Sequence, residues 1–305
     1  MRDITKYRGI FPAFYACYKK DGSIDTEAVE IFTRHLVGKG VKGLYVGGSS
    51  GECIYQSVNE RKLLLEHAVK AAEGKVTIIA HVACNNTEDS CELARHAEGL
   101  GVDAIASIPP IYFHLPPEAV AKYWNDISDA APNTDFFIYN IPQLAGVSLT
   151  VPLLREMIRN PRVAGVKNSS MPTQDIQMFK AEGGKDFAVM NGPDEQLLSG
   201  LAIGADGGIG GTYAVMPELF LKIYELAGKG EYEAARPIQY AADAVIYKVC
   251  EAKGNLYAVM KEILRRREGI DIGGVRAPLP EIAREDMPVI LEAAEMIDRA
   301  IAMYC

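Results

Sequence analysis

Lys167 closes the apolar run Val163-Ala164-Gly165-Val166 and is followed by Asn168-Ser169-Ser170. A lysine that ends a buried strand is partly desolvated, which disfavours the ammonium and lowers its pKa. The neutral amine is the species that attacks a ketone. Tyr139 ends another apolar run, in Tyr139-Asn140-Ile141-Pro142, and a phenol there suits proton relay. A third run ends in Gly47-Gly48-Ser49-Ser50-Gly51-Glu52. Its glycines admit a ligand close to the backbone, and its hydroxyls with neighbouring N–H groups suit a carboxylate. Taken alone, each motif has an ordinary reading as a solvated cap, a packed ring or a Gly/Ser turn. Taken together, amine, phenol and carboxylate cradle describe a site for a 2-keto acid. No histidine cluster competes. His35, His67 and His96 fall on predicted helices as surface residues, while His81 lies near the third strand's end and His114 in the loop after the fourth, neither with an evident partner.

These residues need a scaffold that gathers strand ends. Polar amphipathic segments ending in Gly recur, each followed by a short apolar run, as at Gly40 to Val46, Gly101 to Ala106 and Gly204 to Ile209. Glycine just past a helix takes the left-handed conformation that ends it, and the run that follows suits a buried strand. Further runs lie at Gly9 to Tyr15, Val76 to Val82, Phe136 to Tyr139, Val163 to Val166 and Phe187 to Met190. Helical stretches separate them, among them Ser57-Val58-Asn59-Glu60, which reads as a capping box. Strands apolar on both faces belong to a parallel sheet covered by helices. The expected fold is therefore a (β/α)8 TIM barrel over residues 1–215, with functional residues at the C-terminal strand ends. An open doubly wound sheet is the competitor, but no Gly-rich phosphate turn follows the first strand. From Met216 the pattern is helical: Glu218 to Ala227, Tyr232 to Ala252, Leu256 to Arg267 and Glu281 to Met303. Residues 216–305 are expected to form a helical extension packed on the barrel.

Composition narrows the function. The chain has 305 residues, 49% hydrophobic and 24% charged, which excludes a disordered chain. A net charge of −8 without basic blocks argues against nucleic acid or an anionic membrane as partner. The six cysteines form no CxxC pair and no zinc spacing, so reduced thiols and no metal site are expected. No apolar stretch reaches about 18 residues and no export signal is evident, which makes a cytoplasmic location the expectation.

At these three motifs the chain resembles the class I pyruvate aldolases, the family of N-acetylneuraminate lyase and dihydrodipicolinate synthase. The resemblance spans nearly the whole chain, C-terminal helices included. It implies that Lys167 forms an imine with the keto carbon, that Tyr139 shuttles a proton, and that Ser49 and Ser50 bind the carboxylate. It also implies that Ser49 links to Tyr139, and that Tyr112 serves a neighbouring subunit's relay in a homotetramer. No metal or organic cofactor is implied; the partner is a small-molecule substrate. Two departures favour cleavage of a sugar acid such as sialic acid over the synthase reaction. Leu144 stands where the synthase has Arg, and leucine cannot make the forked contact to a second carboxylate. Ser49-Ser50 stands where the synthase has Thr-Thr. Asn191-Gly192-Pro193-Asp194-Glu195 resembles the lyase segment whose Gly192, Asp194 and Glu195 contact sugar hydroxyls, although acids also suit a helix N-terminus. Ser169, Ile209 and Gly211 complete the implied substrate contacts. Gly211 is itself a departure, because the lyase often carries Ser there. An aldolase for another 2-keto-3-deoxy sugar acid, the synthase, and an inert sugar-acid binder remain the alternatives.

Overall fold

The computed structural model describes residues 3–305. Eight strands run β1 Gly9–Pro12, β2 Gly43–Val46, β3 Thr77–His81, β4 Ala104–Ser107, β5 Asp135–Asn140, β6 Val163–Asn168, β7 Ala188–Asn191 and β8 Gly207–Gly210. All are parallel, in the order β1-β8-β7-β6-β5-β4-β3-β2. The ring closes between β1 and β2. There Phe14 N–H donates to Tyr45 O at 2.9 Å and Lys42 N–H to Ile10 O at 2.9 Å. This is the (β/α)8 barrel expected from the alternating pattern.

Side chains alternate across each strand, so one sequence feeds two cores. In β5, Phe136 and Ile138 pack outward under the helices, while Phe137 and Tyr139 point into the barrel. The inner core also holds Phe11, Tyr45, Ile79, Met190 and Ile209. Tyr7, just before β1, plugs the end of the barrel away from the candidate residues. Its ring meets Phe137 edge-on at 4.7 Å, and its hydroxyl donates to Asp135 Oδ2 at 2.7 Å.

The outer helices are α1 Thr26–Gly38, α2 Val58–Ala72, α3 Thr87–Gly99, α4 Pro117–Asp129, a short α5 Pro142–Ala145, α6 Val151–Met157, α7 Gln174–Gly183, α8 Leu197–Ala202 and α9 Pro217–Gly228. Their starts follow from local chemistry. Asp25 caps α1, accepting from Ala28 N–H at 3.1 Å. The Ser57/Glu60 capping box forms as expected, with Ser57 N–H donating to Glu60 Oε2 at 2.8 Å.

The chain ends in α10 Tyr232–Val249, α11 Leu256–Glu268 and α12 Met287–Tyr304. The sequence pattern starts the last helix at Glu281, six residues too early. Pro288 is tolerated only in a first turn, which pins the start at Met287. The preceding segment is held instead by Asp286, which accepts from Lys253, Gly254 and Ala283 N–H groups. Among the described residues no helix is long and apolar enough to cross a membrane. The histidines expected at the surface are half-buried, with His67 against Glu30 and His96 against Glu66.

Candidate active site

The C-terminal ends of the strands meet in one mouth. β5 and β6 pair Tyr139 with Lys167 and Asn140 with Asn168. The pairing hides an irregularity. Phe136 pairs with Val163, but Phe137 pairs with Gly165, so Ala164 is an extra residue in β6. One extra residue reverses the facing of every side chain beyond it. Val163 and Val166 consequently both pack outward, and Lys167 turns to the barrel axis beside Tyr139. An amide ladder outside the barrel holds the two strand ends together. Asn140 Nδ2 donates to Asn168 Oδ1 at 2.7 Å, and Leu149 N–H donates to Asn140 Oδ1 at 2.9 Å.

Lys167 is 5% exposed, inside the strand rather than after it. Its Nζ lies 4.2 Å from the Tyr139 ring centre and 4.5 Å from that of Tyr45. Among the described residues no carboxylate forms an ion pair with it. Burial pulls its pKa down to about 7, against a smaller opposing pull from the Asp194 charge. At neutral pH a large fraction of this amine is therefore unprotonated and nucleophilic. Burial pushes the Tyr139 phenol up to about 12, while the Ser49 and Ser169 hydroxyls pull the other way. Tyr139 is thus a protonated phenol with a hydroxyl on either side, the state a relay requires.

The loop after β2 forms a 3-10 turn at Ser49–Gly51. Ser49 and Ser50 open that turn, so their N–H groups are not consumed by its i to i+3 bonds. Gly47 sits at φ +76, and its carbonyl accepts from His81 Nδ1 at 2.9 Å. A Cβ on Gly48 would fall 2.6 Å from the Tyr45 ring. Here the glycine makes room for a protein ring rather than for a ligand.

Across the mouth, Asp194 is buried and its Oδ2 accepts from both Thr212 N–H and Thr212 Oγ1 at 2.6 Å. Burial raises its pKa to about 6, offset in part by those two bonds. Glu195 beside it is exposed at the rim. Gly192 must be glycine, since a Cβ would sit 2.0 Å from Ser169 Oγ. Lys167, Tyr139, Ser49, Ser50, Ser169, Gly192, Asp194, Glu195, Ile209 and Gly211 all line one cavity of about 280 Å³. Leu144 lines its rim, 61% exposed. Tyr112 does not join them within one chain; its side chain is 86% exposed, on backbone at φ +85.

Several residues in or beside the cavity were not read as site residues from the sequence. Tyr45 packs against the lysine, and the His81 ring stands 5.9 Å from that of Tyr139. Burial lowers the His81 pKa to about 3, so its ring is neutral. An inward position on a strand was the only signal for either. Ile246, Leu256, Tyr257 and Met260 come from α10 and α11, where no motif announces them.

Residues 6–296 match the Dihydrodipicolinate synthetase family. The chain belongs to that family. Within it, the chain is 64% identical over 297 residues to the N-acetylneuraminate lyase of Mediterraneibacter gnavus, covering 97% of this chain and 94% of that one. It is 30% identical to N-acetylneuraminate lyases of Escherichia coli, over 96% of this chain and 98% of theirs. A solved structure of a Ruminococcus gnavus sialic acid aldolase, a catalytic lysine mutant, superposes with a TM-score of 0.99 at 62% identity, each chain covered in full.

Proposed function

We propose that the chain is a Schiff-base aldolase that reversibly cleaves N-acetylneuraminate to N-acetylmannosamine and pyruvate. The observation that carries this reading is the buried Lys167 amine, without an ion pair among the described residues, held opposite Tyr139 in one cavity. The relatives named N-acetylneuraminate lyase support the choice of sugar acid. So does Leu144 at the rim, where an apolar side chain offers nothing to a second substrate carboxylate.

The neutral Lys167 amine attacks the C2 ketone of the open-chain sugar acid, and loss of water leaves an imine that is protonated on nitrogen. The C3–C4 bond then breaks, its electron pair moving into an enamine whose positive nitrogen is thereby neutralised. The proton of the C4 hydroxyl passes to Tyr139, whose own proton moves on toward Ser49 and the substrate carboxylate. A group with its pKa near 12 takes up a proton only by handing one on, so the flanking hydroxyls are part of the step. N-acetylmannosamine leaves as its aldehyde. Protonation at C3 and addition of water to the imine release pyruvate and restore the amine.

Ser49 and Ser50 hold the carboxylate, while Ser169, Gly192, Asp194, Glu195, Ile209 and Gly211 face the sugar chain. Thr212 already occupies one Asp194 oxygen, so the other is the acceptor for a sugar hydroxyl. Tyr112, exposed on one chain, reaches the Tyr139 relay of a second chain in a homotetramer. The setting is sialic acid catabolism in the cytoplasm.

Pyruvate release by the purified chain tests this directly. Release from N-acetylneuraminate, with slower release from 2-keto-3-deoxy sugar acids lacking the acetamide, is the expected result. Release only from the latter would overturn the choice of substrate.

A further inference from the structure

Helix α11 lies outside the barrel, yet it sends Tyr257 into the candidate site. Ser50 Oγ donates to Tyr257 OH at 3.1 Å, joining residues 207 positions apart in the chain. The phenol is fixed from three directions. Asn255 caps the helix by accepting from Tyr257 N–H at 2.9 Å. The ring packs 5.9 Å from that of Tyr15, whose hydroxyl donates to Gly211 O at 2.6 Å. One helical turn on, Lys261 Nζ donates to Glu52 Oε1 at 2.8 Å and to Gly274 O at 2.6 Å. Glu52 directly follows the Ser49–Gly51 turn, so α11 is bolted to the cradle loop at two points on one helix face. The second Glu52 oxygen accepts from Arg276 N–H at 2.8 Å, which leaves that carboxylate fully engaged and out of the substrate's reach.

A carboxylate is an acceptor only, so Ser50 must turn its proton toward a bound one. Its oxygen is then free to accept, and the bond to Tyr257 reverses, the phenol donating to Ser50 Oγ in place of accepting from it. Burial raises the Tyr257 pKa to about 12, and the hydroxyl keeps its proton across the working pH range. We infer that Tyr257 is a positioning residue of the carboxylate cradle, orienting Ser50 by donating to it when a 2-keto acid is bound. This rests on the aldolase reading and extends it to a helix of the C-terminal extension.

Borohydride trapping of the pyruvate imine on Lys167, titrated with pyruvate and read by mass spectrometry, isolates carboxylate binding from sugar binding. Tyr257→Phe keeps the ring. It should raise half-saturating pyruvate about fivefold to tenfold, the loss of one hydrogen bond, while labelling at saturation stays complete. Because Tyr257 acts through Ser50, the double variant Ser50→Ala, Tyr257→Phe should bind pyruvate no more weakly than Ser50→Ala alone. Unchanged half-saturation in Tyr257→Phe, or additive losses in the double variant, would overturn the inference while leaving the aldolase reading intact. Absence of any adduct in the unsubstituted chain would overturn that reading and the inference with it.

Discussion

Lys167 and Lys261 are both shut away from water, at 5% and 2% exposure, and both lie near aromatic rings. Their partners differ. Lys261 donates to Glu52 and to a backbone carbonyl, so its ammonium is matched by a buried carboxylate and works as a bolt between α11 and the cradle loop. Lys167 has rings for neighbours and no ion pair among the described residues, so its burial falls on the charged form and frees the amine. Burial alone does not make a lysine a nucleophile. Burial without an ion pair, beside a cavity, is what favours the free amine at Lys167.

Removing the unpaired lysine should have the largest effect. Lys167→Met should cut pyruvate release by about 10⁴-fold or more. Its melting temperature should hold or rise, because a desolvated amine gives way to an apolar chain of similar length. A sharp fall in melting temperature would mean that Lys167 is structural after all. The reverse manipulation unpairs the other lysine. Glu52→Gln leaves Lys261 buried without its carboxylate and should lower stability by about 3–5 kcal/mol in denaturant titration. Adding Lys261→Met should recover most of that loss. Full stability of the single variant would contradict the bolt.

The two lysines were unequally legible in the sequence. Lys167 ends an apolar run of strand length, so fold class and strand-end position together pointed to it. What turns it inward is the extra residue at Ala164, and nothing in Val163-Ala164-Gly165-Val166 marks which residue is extra. Tyr139 and the Ser49-Ser50 loop were legible for the same reason as Lys167. Asp194 was read as a candidate site residue, but the fixing of one of its oxygens by Thr212 depends on a contact 18 residues away. Tyr257, Lys261 and the role of Glu52 were not legible, because they depend on how an outer helix docks more than 200 positions along the chain. Helical periodicity shows that α11 has a buried face, not what that face meets.

A smaller test bears on the cavity wall beside Ser50. Gly211 has φ −71, open to any residue, and a Cβ there would lie 3.4 Å from Ser50 Oγ and 3.8 Å from Tyr257. Gly211→Ser therefore fits without strain and adds a hydroxyl to the cavity. It should lower KM for N-acetylneuraminate by about fivefold, with kcat within twofold and unchanged stability. A raised KM would place the sugar chain elsewhere in the cavity.

The central claim, that an unpaired buried amine is the reactive group, is tested most directly by the pH dependence of imine formation. Initial rates of borohydride trapping at subsaturating pyruvate, measured between about pH 5.5 and 9.5 with the labelled residue mapped, report the free amine. The rate should rise with pH through a midpoint at about 7, level off above it, and place the adduct on Lys167 alone. A midpoint near that of an ordinary lysine, or an adduct on Lys261, would contradict the account.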